Sequence, residues 1–226
     1  MRSEWIPVSA AALVTGVMAL VLAQMLNPGG SDASPAGQML VAVEYPGRWL
    51  AMAVLFFGGA SALILGMPAT MTLFRTRRGR TIGMVGVGVF TVGCVGVGAL
   101  AGLMLMFRAL ALETLSGSAV ATEIALVTSS LEETALVVSL GVWVYGFLLG
   151  VLLIAIGLLR ARATARWVPM LLVAFLVVQV VTGLLEGTPA RVGSALGLIL
   201  LAAGFTGVAI AAASPHNDGS LKHSLV

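Results

Sequence analysis

Long uncharged stretches alternate with short charged segments along this chain. Six stretches contain 19 or more consecutive residues without Asp, Glu, Lys or Arg. At about 1.5 Å per residue in an α-helix, each stretch can cross a hydrocarbon layer of about 30 Å. The pattern predicts six transmembrane helices, at about residues 6–26, 48–74, 81–107, 134–159, 167–186 and 192–213.

Composition supports the same class of protein. Of the 226 residues, 59% are hydrophobic and 9% are charged, and the mean hydropathy is +1.09. So few charges cannot cover a water-facing surface. The first apolar run, from Ile6 to Leu26, exceeds the core of about 7–15 residues in a secretory signal. We therefore interpret this run as a retained first helix and predict one six-helix transmembrane domain over residues 1–213.

Basic residues are concentrated on alternate connections. With the amino terminus in the cytoplasm, nine basic residues lie on the cytoplasmic side and three, Arg48, Arg108 and Arg191, on the outer side. Cytoplasmic loops are enriched in Lys and Arg, so this split predicts that both termini are cytoplasmic. The acidic residues divide seven outside and two inside, which makes the outer face net acidic. Arginine outnumbers lysine eleven to one, a usage typical of high-GC bacteria, so we expect the bacterial inner membrane.

The region between the third and fourth predicted spans has its own pattern. Apolar residues recur at helical spacing from Val120 to Leu131, with polar residues on the other faces. We predict that helices 3 and 4 extend as an outer helical hairpin, about residues 108–134, that turns at 116–118. The alternative is a helix lying flat on the membrane, which the lack of Lys, Arg and aromatic residues between 109 and 135 disfavours.

The remaining connections are simpler. The turn-rich segment 27–46 is predicted to be an outer loop whose later part, 39–45, touches the membrane interface. The polar segment 214–226 is predicted to be a disordered cytoplasmic tail. Aromatic residues are expected at the interfaces. We predict that Trp5, Trp49 and Trp167 are interface anchors and that Trp143 and Tyr145 pack against other helices.

Glycines with four-residue spacing recur within the predicted spans. Examples are Gly79 and Gly83 in the third span and Gly146 and Gly150 in the fourth. In lipid, helices associate through close backbone approach, which glycine permits. Such stripes serve either packing within the chain or homodimerisation. We favour packing within the chain, since short helices need these contacts in any case.

Residues with reactive side chains are scarce inside the predicted spans. No Asp, Glu, Lys or Arg lies in a span interior, and both histidines are in the carboxy-terminal tail. This pattern disfavours a proton-coupled carrier, an intramembrane protease and a haem or metal centre, so we predict no cofactor and no metal. Cys94 is the only cysteine, which excludes cysteine-pair redox chemistry. The basic residues form short loops rather than a broad face, which argues against nucleic-acid binding.

The remaining polar residues form two candidate binding regions. Gln179 and Thr182 share one face of the fifth span, and Glu186 continues it. These three residues line either a cavity open to the outside or an ordinary contact between helices. The second region is the acidic outer face with its one nearby basic residue: Arg108, Glu113, Glu123, Glu132 and Glu133. No residue is predicted to be catalytic.

A short stretch carries a family resemblance. Residues 150–160 are an apolar helix ending in Arg160, and residues 165–169 continue with Ala-Arg-Trp-Val-Pro. This span–loop–span pattern resembles a broad class of uncharacterised bacterial six-helix membrane proteins. The resemblance implies six spans, and it carries no activity and no site residues to this chain.

Three classes of function are compatible with these observations. The first, which we favour, is a non-catalytic membrane component that binds a partner protein or lipid, with membrane lipids, another membrane protein or a second copy as partners. The second is a small transporter or channel for a hydrophobic or cationic solute, which predicts a cavity near Gln179. The third is an intramembrane lipid-modifying enzyme, which requires the outer carboxylates to converge.

Overall fold

The computed structural model describes residues 5–29, 35–74, 79–114, 134–185 and 187–214. Nearly all of these residues are helical, and no strand occurs among them. The helices are α1 (Trp5–Leu26), α2 (Pro35–Glu44), α3 (Pro46–Thr72), α4 (Arg80–Thr114), α5 (Thr134–Ala161), α6 (Trp167–Thr182) and α7 (Gly187–Ala213). The predicted all-α helical architecture is confirmed.

Five of the helices, α1, α3, α4, α5 and α7, are long and apolar enough to cross a membrane. Outward-facing side chains along these helices are apolar as well, as at Leu65, Val95 and Ile210. A surface of this kind is stable against lipid and not against water. The chain is therefore a multi-pass membrane protein.

Helix α6 is shorter than the fifth span predicted from the sequence. It has 16 residues, or about 24 Å, against a hydrocarbon layer of about 30 Å. The N–H of Gly183 still bonds four residues back, to Gln179, whereas those of Leu184 and Leu185 bond to carbonyls three residues back. Such bonds tighten the last turn and end an α-helix. A sixth crossing through α6 remains a prediction.

The proposed outer hairpin is described only at its two bases. Helix α4 continues past the predicted span limit at 107 and ends at Thr114, and α5 begins at Thr134. The extension of α4 agrees with the expected lengthening of this helix beyond the span. The predicted turn and the periodic segment from Val120 to Leu131 lie outside the described residues, so the hairpin itself remains a prediction.

Six of the helices form a closed ring in the order α1, α3, α4, α5, α6 and α7, in which α7 returns to contact α1. Neighbours run antiparallel, since early residues of one helix contact late residues of the next. Leu13 of α1 lies against Gly66 of α3, for example, and Leu172 of α6 against Gly204 of α7. We call the two ends of the ring the Asn27 end and the Arg160 end. Under the sidedness predicted above, the Asn27 end faces outward.

Glycines create the closest contacts in the ring. Between α1 and α3, a Cβ at Gly66 would lie 2.7 Å from the backbone of Leu13. Between α4 and α5, a Cβ at Gly150 would lie 2.5 Å from the backbone of Phe90. By contrast, Gly88 and Gly102 have no neighbour within 4 Å of an added Cβ. Most of the glycine stripes thus pack helices within the chain, and part of α4 faces outward.

The predicted outer loop at 27–46 contains a helix that was not expected. Helix α2 packs against α3 and α4, with Val41 and Ala42 buried together with Ala23 of α1. Turn-forming residues early in this segment conceal the helix in the sequence, because they are followed by only ten helical residues. The later part of the segment packs onto the ring near the Asn27 end.

The environment of Trp49 differs from the one predicted from the sequence. Trp49 was predicted to anchor α3 at the membrane interface, and it is instead 1% exposed. Its Nε1–H donates a 2.8 Å hydrogen bond to the Met104 carbonyl of α4. Trp5 and Trp167 are exposed, as interface anchors would be, and Tyr145, which was expected to pack, is 74% exposed. The indole of Trp49 therefore joins α3 to α4 through a buried hydrogen bond.

Replacing Trp49 with phenylalanine is expected to lower the free energy of unfolding by about 0.5–1.5 kcal/mol, because it removes one buried hydrogen bond between helices. The measurement is unfolding in sodium dodecyl sulfate, followed by circular dichroism. The matched control is Trp5→Phe, at a side chain that is 74% exposed. Equal effects of the two substitutions would contradict a fastening role for Trp49.

Candidate functional site: a cavity inside the helical ring

A cavity of about 280 Å³ lies in the half of the ring nearer the Asn27 end. All six helices of the ring contribute to its wall. Most of the lining side chains are apolar, including Leu20, Phe56, Val97, Phe147 and Leu198. Its volume is close to the lower limit of the range of about 300–1,000 Å³ found for small-molecule sites. This cavity is the candidate functional site.

Four phenylalanines close the cavity toward the Arg160 end. Phe147 of α5 and Phe175 of α6 line it, with ring centroids 6.4 Å apart in an edge-to-face arrangement. Beneath them, the Phe90 ring lies 4.7 Å from Phe147 and 5.3 Å from Phe205. Tilted and edge-to-face pairs are the favoured aromatic arrangements. Because Phe90 and Phe205 have no exposed surface, the described helices form a pocket that is closed at this end.

Three neutral polar side chains interrupt the apolar wall. They are Gln24 on α1, Gln179 on α6 and Ser194 on α7. Carboxamide and hydroxyl groups both donate and accept hydrogen bonds. All three residues lie toward the Asn27 end relative to the phenylalanine rings, since each is on the side of its helix that ends or begins there. The cavity thus has an apolar base and a neutral polar level above it.

The two residues that are predicted to share a face of the fifth span do contact each other, but only one of them lines the cavity. Gln179 lines the cavity, whereas Thr182 is buried one turn farther along, against Gly193 of α7. The Thr182 hydroxyl shares its hydrogen between the Gln179 backbone carbonyl at 3.1 Å and the Gln179 side-chain Oε1 at 3.4 Å. Glu186 lies outside the described residues. Thr182 therefore orients the Gln179 carboxamide without reaching the cavity itself.

Trp143 of α5 contributes its indole to the cavity wall. Gly96 of α4 allows this close approach, because a Cβ there would lie 2.9 Å from the Trp143 Cα. The indole Nε1–H is buried and has no hydrogen-bond partner among the described residues. A buried donor without a partner is destabilising by about 1–3 kcal/mol. An unsatisfied donor thus lies within the wall of the cavity.

The second predicted binding region is not assembled by the described residues. Arg108 donates a 3.2 Å hydrogen bond from Nε to the Pro46 carbonyl, which joins α4 to the start of α3. Glu113 lies in the last turn of α4. The other acidic residues of this region, Glu123, Glu132 and Glu133, lie outside the described residues. Arg108 thus has a structural contact, and the convergence of acids that the enzyme alternative requires falls mostly on residues outside the described part of the chain.

Sequence reasoning missed three residues of the cavity: Gln24, Trp143 and Ser194. Each is a hydrogen-bonding side chain within an uncharged stretch, which is the signal that could have identified it. Spacing along one helix shows which residues share a face, as for Gln179 and Thr182. It does not show which faces of different helices meet. Which residues come together at the cavity is therefore visible only in the tertiary structure.

The lining residues of the cavity are apolar or neutral, and the described residues contain no cluster of His, Cys, Asp and Glu that could hold a metal. Comparisons with protein-family models, with curated proteins and with solved structures found no match to this chain. A proposal for the function of this protein therefore rests on the cavity and on the pattern of charge.

Proposed function

We propose that this protein is a non-catalytic integral membrane component that binds a lipid-class molecule in the cavity of its helical ring. The observation that carries the proposal is the cavity itself, with an apolar wall built by six helices and a closed aromatic base. A site of this kind favours an apolar chain. Between the two occupants considered above, a partner protein or a lipid, the cavity supports the lipid.

The proposed setting is the inner membrane of a bacterium, with both termini in the cytoplasm. The division of basic residues, nine to three, supports this sidedness. The cavity then lies in the outer half of the bilayer. A lipid of the outer leaflet would thus have its acyl chains at the depth of the cavity.

The second candidate function is transport of a hydrophobic solute. The transport hypothesis predicted a cavity near Gln179, and Gln179 does line one. The phenylalanine cluster argues for binding over passage, because the rings of Phe90 and Phe205 pack together with no exposed surface on the Arg160 side of the cavity. Transport would require these rings to move apart, which makes release of a bound lipid on the opposite side the distinguishing measurement.

The proposal is tested by fluorescence quenching with brominated acyl chains. In a variant that keeps Trp143 as its only tryptophan, we expect strong quenching in vesicles of dibrominated phosphatidylcholine, because the indole lines the cavity. A variant that keeps only Trp49, which is 1% exposed, serves as the reference for a tryptophan shielded by protein. Quenching of Trp143 no stronger than that of Trp49 would refute binding of acyl chains in the cavity.

A matched pair of substitutions in α7 assigns the quenching to the cavity. Ser194 lines the cavity, whereas Ile199 on the same helix is 44% exposed on the outer face. Ser194→Phe is expected to fill the cavity and reduce quenching of Trp143. Ile199→Phe is expected to leave it unchanged. If both variants were quenched equally, the acyl chain would contact Trp143 from outside the ring, against the proposal.

A further inference from the structure

We infer that the cavity selects an uncharged molecule whose head group accepts hydrogen bonds through a carbonyl oxygen, such as a fatty ester. This inference rests on the proposed function and adds the chemical class of the ligand. It follows from two properties of the wall, the absence of charge among its lining residues and the hydrogen-bond donor of Gln179. The same cavity would accept free carboxylates and ammonium groups poorly.

Charge is the first criterion. None of the cavity's lining residues is acidic or basic. Moving a charged head group out of water into such a site is unfavourable by several kcal/mol when no counter-ion accompanies it. A neutral head group avoids this cost and still satisfies the polar side chains of the wall. The ligand is therefore uncharged.

Trp143 and Gln179 lie side by side just above the aromatic base. Phe147 and Phe175 contact each other across α5 and α6. Trp143 lies four residues before Phe147, and Gln179 lies four residues after Phe175. Residues four apart share a helix face, and the two helices are antiparallel, so Trp143 and Gln179 lie at the same level on the Asn27 side of the phenylalanine pair.

Gln179 presents its donor to a ligand, whereas the Trp143 indole N–H is enclosed by protein atoms and does not reach the cavity. The Gln179 Oε1 is contacted by the Thr182 hydroxyl at 3.4 Å, which leaves the carboxamide NH₂ as the group for the ligand. A carbonyl oxygen complements this donor, whereas a group that only donates does not.

The test compares four brominated probes that differ only in the head group: methyl 11-bromoundecanoate, 11-bromoundecanoate, 11-bromoundecylammonium and 1-bromoundecane. Binding is measured in detergent by quenching of the variant that keeps only Trp143, with its Ser194→Phe derivative as the background. We expect the ester to bind up to about tenfold more tightly than bromoundecane, as one hydrogen bond would produce. The carboxylate and the ammonium are expected to bind more weakly than the ester.

Substitution of the donor gives the second arm. Gln179→Leu keeps the apolar bulk and removes the NH₂ donor, so the advantage of the ester over bromoundecane is expected to fall several-fold while bromoundecane binding is retained. Retention of the full ester advantage in Gln179→Leu would overturn the inference.

The outcomes for the two proposals are distinct. If no probe quenched Trp143 above the background, binding of apolar chains in the cavity would be wrong, and the proposed function with it. If bromoundecane bound as tightly as the ester, the cavity would bind apolar chains without selecting a head group. If the carboxylate or the ammonium bound best, the inference about charge would be wrong, and the proposed function would stand.

Discussion

Replacing Gly86 with alanine is expected to destabilise the protein by about 1–3 kcal/mol, the range for an overpacked interior. A Cβ at this position would lie 2.7 Å from the backbone nitrogen of Ile154 and 2.8 Å from the Cβ of Leu153, both in α5. Backbone atoms cannot rotate away, so α4 and α5 must separate. Association of helices in lipid depends on this close packing, which makes the loss large for a single methyl group.

Gly88, two residues farther along α4, is the matched control. It is exposed, and a Cβ there would have no neighbour within 4 Å. Gly88→Ala is expected to leave stability unchanged or to raise it by up to about 1 kcal/mol, since alanine favours the helix. Both variants are compared by unfolding in sodium dodecyl sulfate. If Gly88→Ala were as damaging as Gly86→Ala, the outward face of α4 would be a contact surface, and homodimerisation would regain support.

Replacing Ser9 with alanine is expected to cost about 1–2 kcal/mol, because one hydroxyl serves several backbone groups at once. Ser9 lies on α1 and is 7% exposed. Its Oγ is 3.0 Å from the carbonyl oxygens of Leu65 and Gly66, to which it donates, and it accepts a 3.0 Å hydrogen bond from the Ala69 N–H of α3. These groups flank Pro68, which lies inside α3 and lacks an N–H.

Pro68 explains why loss of the Ser9 hydroxyl is expected to reduce stability. A proline inside a helix removes one hydrogen bond and displaces the turn before it, so nearby backbone groups need another partner. Ser9 supplies that partner from the neighbouring helix, and alanine would leave the Ala69 N–H without it. We expect the denaturation midpoint of Ser9→Ala to fall and its helix content in the native state to be retained.

Thr70 is the matched control for Ser9. It is fully buried, and its Oγ1 has no hydrogen-bond partner among the described residues. Thr70→Val replaces this hydroxyl with a methyl group of similar size, so stability is expected to be unchanged or to rise by about 1 kcal/mol. The account of Ser9 would be wrong if Ser9→Ala were neutral while Thr70→Val reduced stability.

Some features of the fold could be predicted because they are local. The boundaries of the long helices follow from uncharged stretches: α1 ends at Leu26, as predicted, and α3 and α5 begin and end within a few residues of their predicted limits. Glycine spacing correctly indicated close contacts between helices, as at Gly66 and Gly150. Helix α2 was missed because ten helical residues beside a turn-rich segment give too weak a signal.

Fewer residues of the candidate site could be predicted from the sequence. Gln179 was singled out from its own helix, and the structure places it at the cavity. Gln24, Trp143 and Ser194 were not, since they come from three other helices. Trp49 shows the same difficulty, because its place near the start of a predicted span fits either an interface anchor or a buried hydrogen bond to Met104.

The sequence by itself determined that this protein is a helical membrane protein, because crossing lipid requires long uncharged helices, and the length and polarity of a segment are properties of that segment alone. Only the tertiary structure decided that six helices close into a ring around a cavity, that Trp49 faces inward, and that Trp143 and Gln179 lie at one level. The reason is physical: which helix faces meet depends on packing between distant segments, and lipid as a solvent favours no particular face of an apolar helix.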